Sequence, residues 1–245
     1  MPSHPDEPVV LVTGANRGLG LALVDALLRR LGPLVVMAAR RPEAQECSRR
    51  LKTSPSRVRL VRIDLCDEDT MRGAAEVCAE LGRLDVLVNC AGVNMVEGQP
   101  PEASKGPLAE LSGAALTELF DVNARGPVLL VKHLATWLAR SRRGLVVNLS
   151  TQRASLAQAT TTGSFGYAMS KAALNMATRK LAAELQPVGV DVIALHPGWL
   201  RTGMGGVEAP TDPAQAAEKI VARVLDGPRP ASGGFYSVDG QALPW

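Results

Sequence analysis

The stretch most suited to proton chemistry is Tyr167-Ala-Met-Ser-Lys171. A Tyr and a Lys four residues apart project from one face of a helix, one turn from each other. Ala172-Ala-Leu-Asn-Met-Ala177 continues with helix formers, which supports that placement. A free phenol titrates near 10 and handles protons poorly at neutral pH. A neighbouring ammonium favours the phenolate and lowers that value. Reaching about 7 takes roughly 3 units, or about 4 kcal/mol, more than one Lys in wet surroundings supplies. An isolated pair of this kind also suits a solvent-facing helix, so its chemistry depends on what else the fold brings to it.

A second constellation lies near the start of the chain. Val9-Val-Leu-Val-Thr13 reads as a strand buried on both faces. It runs into Gly14-Ala15-Asn16-Arg17-Gly18-Leu19-Gly20 and then a helix with Leu21, Val24 and Leu28 on one stripe and Leu23, Leu27 and Leu31 beside it. Gly14 permits a tight turn, Gly18 lets backbone approach a pyrophosphate, and Gly20 lets helix and strand pack closely. The N–H groups opening the helix then face an anion. The second strand, Leu34–Ala39, ends in Arg40-Arg41, where a carboxylate would bind ribose hydroxyls and repel a 2′-phosphate. With Arg17 in the glycine loop, these guanidiniums suit that phosphate and favour NADP over NAD. The competing reading is that they coat a solvated edge.

These groups need a scaffold, and the remaining chain supplies one. Strands are expected at Val58–Ile63, Leu84–Asn89, Leu145–Leu149, Val190–Leu195 and Gly234–Val238. Helices are expected from an Asp67 cap to about Leu81, near Leu108–Leu119 and Arg125–Arg140, from Tyr167 to about Gln186 before Pro187, and from Thr211-Asp212-Pro213 to about Asp226. Val93 to Gly106 reads as loop. Such alternation implies an α/β fold with one doubly wound parallel sheet of about seven strands and helices on both faces. The expected organisation is a flexible tail over residues 1–8 and a single domain over 9–245.

Bulk properties narrow the function. The 245 residues carry 27 basic and 24 acidic side chains, net +3, too balanced to point to nucleic acid. No apolar run approaches the ~20 residues of a membrane span, and the tail resembles neither signal peptide nor anchor. Cys47, Cys66, Cys78 and Cys90 are scattered, and His4, His133 and His196 lack ligand spacing, so no metal or disulfide framework is expected. A reduced, cytoplasmic protein is the expectation.

Taken together, Thr-Gly-x-x-x-Gly-x-Gly at 13–20, Asn-Cys-Ala-Gly at 89–92, Asn123, Ser150-Thr151, Tyr-x-x-x-Lys at 167–171 and Pro197-Gly198 resemble the short-chain dehydrogenase/reductase family in order and spacing. The match covers residues 9 to 245. The segment His196–Gly206 and the ending Asp239–Trp245 look most like its Sniffer and C-factor-like branch, related to carbonyl reductases. The resemblance implies a Rossmann-type sheet and hydride transfer between nicotinamide and a carbonyl or alcohol. Tyr167 would be the general acid/base, Lys171 would bind the nicotinamide ribose and lower the Tyr167 pKa, and Asn123 would support a proton-carrying water chain. Cofactor contacts would come from Gly14, Asn16, Arg17, Gly18, Leu19 and Gly20, from Arg40 and Arg41, and from Asp64 and Leu65 beside the adenine. Asn89, Ala91 and Gly92 would flank the ribose, and Pro197, Gly198, Leu200 and Thr202 would fix the carboxamide.

The family usually has two serines where this chain has Ser150-Thr151, so the substrate-holding hydroxyl is Thr151 or Ser150. Cys90 replaces a common Asn, and His196 suits a structural role better than a catalytic one. A cofactor-binding regulatory protein with little catalysis is the alternative; a methyltransferase is hard to reconcile with Tyr167 and Lys171. The short segment Gly203–Pro210, with Met204 and Val207, suggests an open substrate site. Leu129, Leu130, Leu134 and Trp137 could either pack on the sheet or join a homodimer.

Overall fold

Seven β-branched-rich segments pair into one parallel sheet of order β3-β2-β1-β4-β5-β6-β7 in the computed structural model, which describes residues 7–159 and 162–245. The strands are β1 (Val9–Thr13), β2 (Leu34–Ala39), β3 (Val58–Arg62), β4 (Val86–Asn89), β5 (Leu145–Leu149), β6 (Asp191–His196) and β7 (Phe235–Ser237). Most of the tail expected over residues 1–8, His4 included, and Thr160 and Thr161 in the loop before Tyr167 lie outside the described residues. Every residue of β1, β2, β4 and β5 is buried, as expected for strands covered on both faces.

One face is covered by α3 (Asp69–Leu81), α6 (Gly126–Ala139) and α7 (Phe165–Leu185), through Met71, Leu130, Leu134 and Leu138. On the other, α1 (Gly18–Arg29) and α8 (Pro213–Val221) bury Leu23, Val24, Leu27 and Ile220. Each such side chain contributes roughly 1.5–3 kcal/mol by leaving water. Leu130 and Leu134 are thus fully committed to the core, while Leu129 and Trp137 pack against it partly buried. Strand order reverses between β1 and β4, which opens a crevice at the carboxyl ends of the strands.

The sequence reading differs from the structure where local signals were weak. Charged α2 (Gln45–Thr53) buries only Cys47 and Arg50 and had no apolar stripe to reveal it. A short helix, α4 (Glu102–Lys105), lies inside the segment read as loop. The helix expected near Leu108–Leu119 is a 3₁₀ turn at Leu108–Glu110 followed by α5 (Gly113–Phe120), which Ser112 caps by accepting the Ala115 N–H. Leu31, assigned to the apolar side of α1, is 99% exposed because that helix ends at Arg29. A wide π turn occupies Asp121–Arg125, between two expected helices, and another occupies Ala222–Asp226, where regular helix was expected. Among the described residues no helix is long and apolar enough to cross a membrane.

Candidate active site

The crevice has a backbone side and a side-chain side. On the backbone side, Gly14 and Gly18 take φ of 67° and 53°, left-handed values that side chains rarely adopt. A Cβ on Gly14 would stand 3.0 Å from Ala91 Cα, and one on Gly20 would overlap Gly14 O. These contacts let the β1–α1 turn, the end of β4 and the first turn of α1 close on one another. Arg17, the N-cap of α1, is extended and its side chain does not cap; the first turn holds no acid. The helix thus presents its N–H groups and positive dipole end uncompensated, as a pyrophosphate requires.

Asn16 and Leu19 sit half-buried beside these glycines. Thr13 Oγ1 accepts the Cys90 and Ala91 N–H groups, both at 3.0 Å, and so ties the end of β1 to the turn after β4. The loop after β6 comes over the same place: a Cβ on Gly18 would stand 3.7 Å from Thr202 Cγ2. Within that loop Gly198 is left-handed, Leu200 is buried, and a bridge from Leu200 to Thr211 closes the base. Pro197 precedes this turn, half-buried.

At the end of β2, Arg40 and Arg41 are exposed, and Arg40 makes only a loose 3.7 Å ion pair with exposed Glu97. The Arg17 side chain is exposed and has no partner among the described residues. Asp64 Oδ1 accepts the Cys66 N–H at 3.0 Å, which fixes the turn after β3. Two expected cofactor contacts are turned inward. Leu65 belongs to the core, and Asn89, 1% exposed, donates to Asn148 Oδ1 at 2.8 Å. Their side chains serve the interior, which leaves only their backbone for a ligand. The residues present otherwise fit a phosphorylated dinucleotide.

On the side-chain side, α7 carries Tyr167 half-buried and Lys171 4% exposed. The absent side chain of Gly166 sets the height of this helix, since a Cβ there would overlap Leu119 Cδ1 of α5. Lys171 Nζ donates to the Leu149 carbonyl at 2.8 Å at the end of β5, and burial lowers its pKa to about 8. Gly92 leaves room for that ammonium: a Cβ there would stand 3.4 Å from Nζ. Burial pushes the Tyr167 phenol up to about 12, opposed in part by the nearby Arg153 guanidinium. The expected downward pull on Tyr167 thus comes from Arg153 and not from Lys171, and desolvation of the phenolate dominates it.

The adjacent hydroxyls divide sharply. Ser150 Oγ donates to Asn175 Oδ1 at 2.6 Å, one helical turn beyond Lys171, and is committed to the interior. Thr151 Oγ1 accepts the Arg153 N–H at 3.3 Å and donates to nothing among the described residues, so its proton is available. Asn123 lies fully buried in the Asp121–Arg125 π turn. Its side chain exchanges hydrogen bonds with Val93 backbone, at 2.9 and 2.7 Å, and donates to Ser170 Oγ at 3.0 Å. Ser170 Oγ in turn donates to the Tyr167 carbonyl at 2.9 Å. With its amide so engaged, Asn123 can serve a water chain only through its backbone, which π geometry displaces from the regular helical ladder.

Sequence reasoning missed Asn175, Ser170, Arg153 and the ladder in which Asn148 Nδ2 donates to Thr178 Oγ1 at 2.9 Å. A signal was present, because Asn175 and Thr178 recur on the Lys171 face of α7 and Asn148 interrupts an apolar strand. Cys90 is held protonated, with burial pushing it up to about 12. His196 is half-buried with its pKa lowered by burial, and its Nδ1 has no partner among the described residues.

Comparison with known proteins shows the family and the fold. The family model described as short chain dehydrogenase matches residues 8–212. The C-signal of Myxococcus xanthus is 36% identical over 173 residues, 70% of this chain and 98% of that protein. The carbonyl reductase Sniffer of D. melanogaster superposes with a TM-score of 0.88 at 30% identity, covering 98% of this chain and 99% of that one. A carbonyl reductase from Pseudomonas aeruginosa PAO1 in complex with NADP gives 0.80 at 33% identity, covering 98% and 100%.

Proposed function

The chain belongs to the short-chain dehydrogenase/reductase family and is carbonyl reductase-like, and on that premise we propose that it reduces an aldehyde or ketone with NADPH, Tyr167 being the proton donor. The observation that carries this reading is the uncommitted Thr151 hydroxyl at the end of β5, where the Leu149 carbonyl also holds Lys171 Nζ, one helical turn from Tyr167 on α7. Bound NADPH would supply the hydride. Thr151 Oγ–H would hold the substrate oxygen and polarise it as negative charge develops, and Tyr167 would deliver the proton to that oxygen. Ser150, tied to Asn175, would be a structural neighbour.

Preference for NADP over NAD rests on the free guanidinium of Arg17, on Arg40 and Arg41, and on the absence of an acid at the end of β2. The likeness to a reductase solved with NADP supports it. Lys171, given room by Gly92, would reach the nicotinamide ribose. A homodimer belongs to the same reading, because exposed Phe165, Met169 and Met176 share one side of α7. The test is purified protein with NADPH and a panel of aldehydes, quinones and diketones. Turnover that Tyr167→Phe abolishes is expected; wild-type rates in that variant would sink the mechanism.

A second reading, a dinucleotide-bound signalling protein with little catalysis, is favoured by the likeness to the C-signal. It calls for NADPH binding in calorimetry with no turnover on the same panel.

A further inference from the structure

Two cations flank the start of α7 without acidic partners. Arg153 lies two residues beyond Thr151, and its N–H bonds that hydroxyl. Its turn, Gln152–Ala154, packs against α7. Lys105 ends α4, which also packs on α7, and its carbonyl accepts the N–H of Ser164, three residues before Tyr167. Arg153 is thus tethered through backbone to Thr151, and Lys105 to the residue that opens α7 just before Tyr167.

Most arginines of the chain are satisfied elsewhere, in ion pairs such as Arg30–Asp226 and Arg50–Asp25 or on carbonyls as with Arg57. Arg153 and Lys105 form no side-chain hydrogen bond or ion pair among the described residues, even though Glu102 stands one helical turn from Lys105. Arg153 is exposed and Lys105 half-buried, and burial lowers the Lys105 pKa, with the Arg153 charge adding to it. Like charges held together cost stability unless something of opposite sign joins them.

We infer that the reductase site takes a carbonyl compound carrying an oxyanion, a carboxylate or phosphate, which Arg153 and Lys105 bind together. Arg153 offers a planar fork and Lys105 a point charge, a combination suited to either oxyanion. The anion would align the substrate so that its carbonyl meets Thr151 and Tyr167, and would neutralise the repulsion between the two cations. This inference rests on the reductase reading and adds the substrate class to it.

The experiment compares para-formylbenzoate, its neutral methyl ester and para-formylphenyl phosphate as substrates with NADPH. The expected result is kcat/KM at least about tenfold higher for one or both anions than for the ester, carried mainly by KM. That advantage should shrink as salt rises from about 0.02 to 0.15 M. In Arg153→Gln/Lys105→Gln the ratio of anion to ester should fall to about one, and Arg153→Lys should restore part of it. Preference for the carboxylate over the phosphate, or the reverse, identifies which anion the pair fits. Equal use of ester and anions, or a preference that survives the double variant, overturns the inference while leaving the reductase reading intact. If none of the three turns over, calorimetry of para-formylbenzoate with NADPH-loaded protein decides. Binding lost in the double variant upholds the anion site without the reductase reading, and binding absent in wild type or retained in the variant overturns it.

Discussion

Between β1 and α1 the site is made of missing side chains, whereas at the ends of β4 and β5 and along α7 it is made of polar side chains buried against one another. Gly14, Gly18 and Gly20 work because nothing projects from them; a Cβ at two of the three would meet backbone. Asn89, Asn148, Ser150, Asn175 and Thr178 work only as a set, each placed by a partner 25 or more residues away in sequence. A cradle of backbone binds by shape and dipole, while a cluster of buried polar groups can hold protons in fixed places. On the proposed reading, the first region carries most of the cofactor affinity and the second the chemistry.

Tyr167→Phe should strike hardest at that division. Loss of the proton donor is expected to lower kcat about 10²- to 10⁴-fold. NADPH affinity, read by fluorescence titration, should move less than about twofold, because the cradle is untouched. A comparable loss of NADPH affinity would mean that the two regions are not separable.

The neighbouring hydroxyls sharpen the comparison within the second region. Thr151→Ala should lower kcat about 10²-fold, by removing a donor aimed at developing charge, and leave the thermal melt nearly unchanged. Ser150→Ala should retain kcat within several-fold and lose about 1–3 kcal/mol of stability, since it strands Asn175 in the interior. Kinetics and melts of the two variants side by side check this, and exchanged phenotypes would make Ser150 the acting group.

In the cradle, Gly14→Ala forces a side chain into φ of 67° against Ala91. Roughly 1–2 kcal/mol of stability should go, lowering Tm by about 2–8 °C. NADPH affinity should fall with it.

The smallest effect concerns Lys171. Its folded pKa, about 8, lies below the ordinary 10.5, so between those values the unfolded chain binds more protons and stability rises with pH. Below about 8 both states are charged and the cost of burying that charge is constant. Lys171→Met should therefore stabilise the cofactor-free protein relative to wild type at pH 7, and the advantage should shrink by pH 10. Melts at the two pH values check it; a constant difference would mean that the ammonium is not penalised by burial.

The same contrast explains what could be read from sequence. The sheet, its strands and the glycine turn were legible because their signals are local: β-branched runs, a Gly pattern, a helix stripe. Tyr167 and Lys171 were legible as residue types, yet the effect of their burial was not, because desolvation depends on what the rest of the fold packs around them. Ser150 and Thr151 are chemically alike and adjacent. Only Asn175, reaching across from α7, separates their roles. Helix α2 lacks an apolar stripe because it rests on Cys47 and the Arg50–Asp25 pair. The π turn that buries Asn123 has no distinguishing pattern in Asp121-Val-Asn-Ala-Arg125.

The division of labour is tested most directly by single-turnover stopped flow, following NADPH oxidation by a saturating aldehyde over a range of NADPH concentrations. For Gly14→Ala the account predicts a shift of the half-saturating NADPH concentration to higher values with the plateau rate preserved. For Thr151→Ala it predicts a plateau lowered about 10²-fold with half-saturation in place. Plateau and half-saturation moving together in both variants would contradict it.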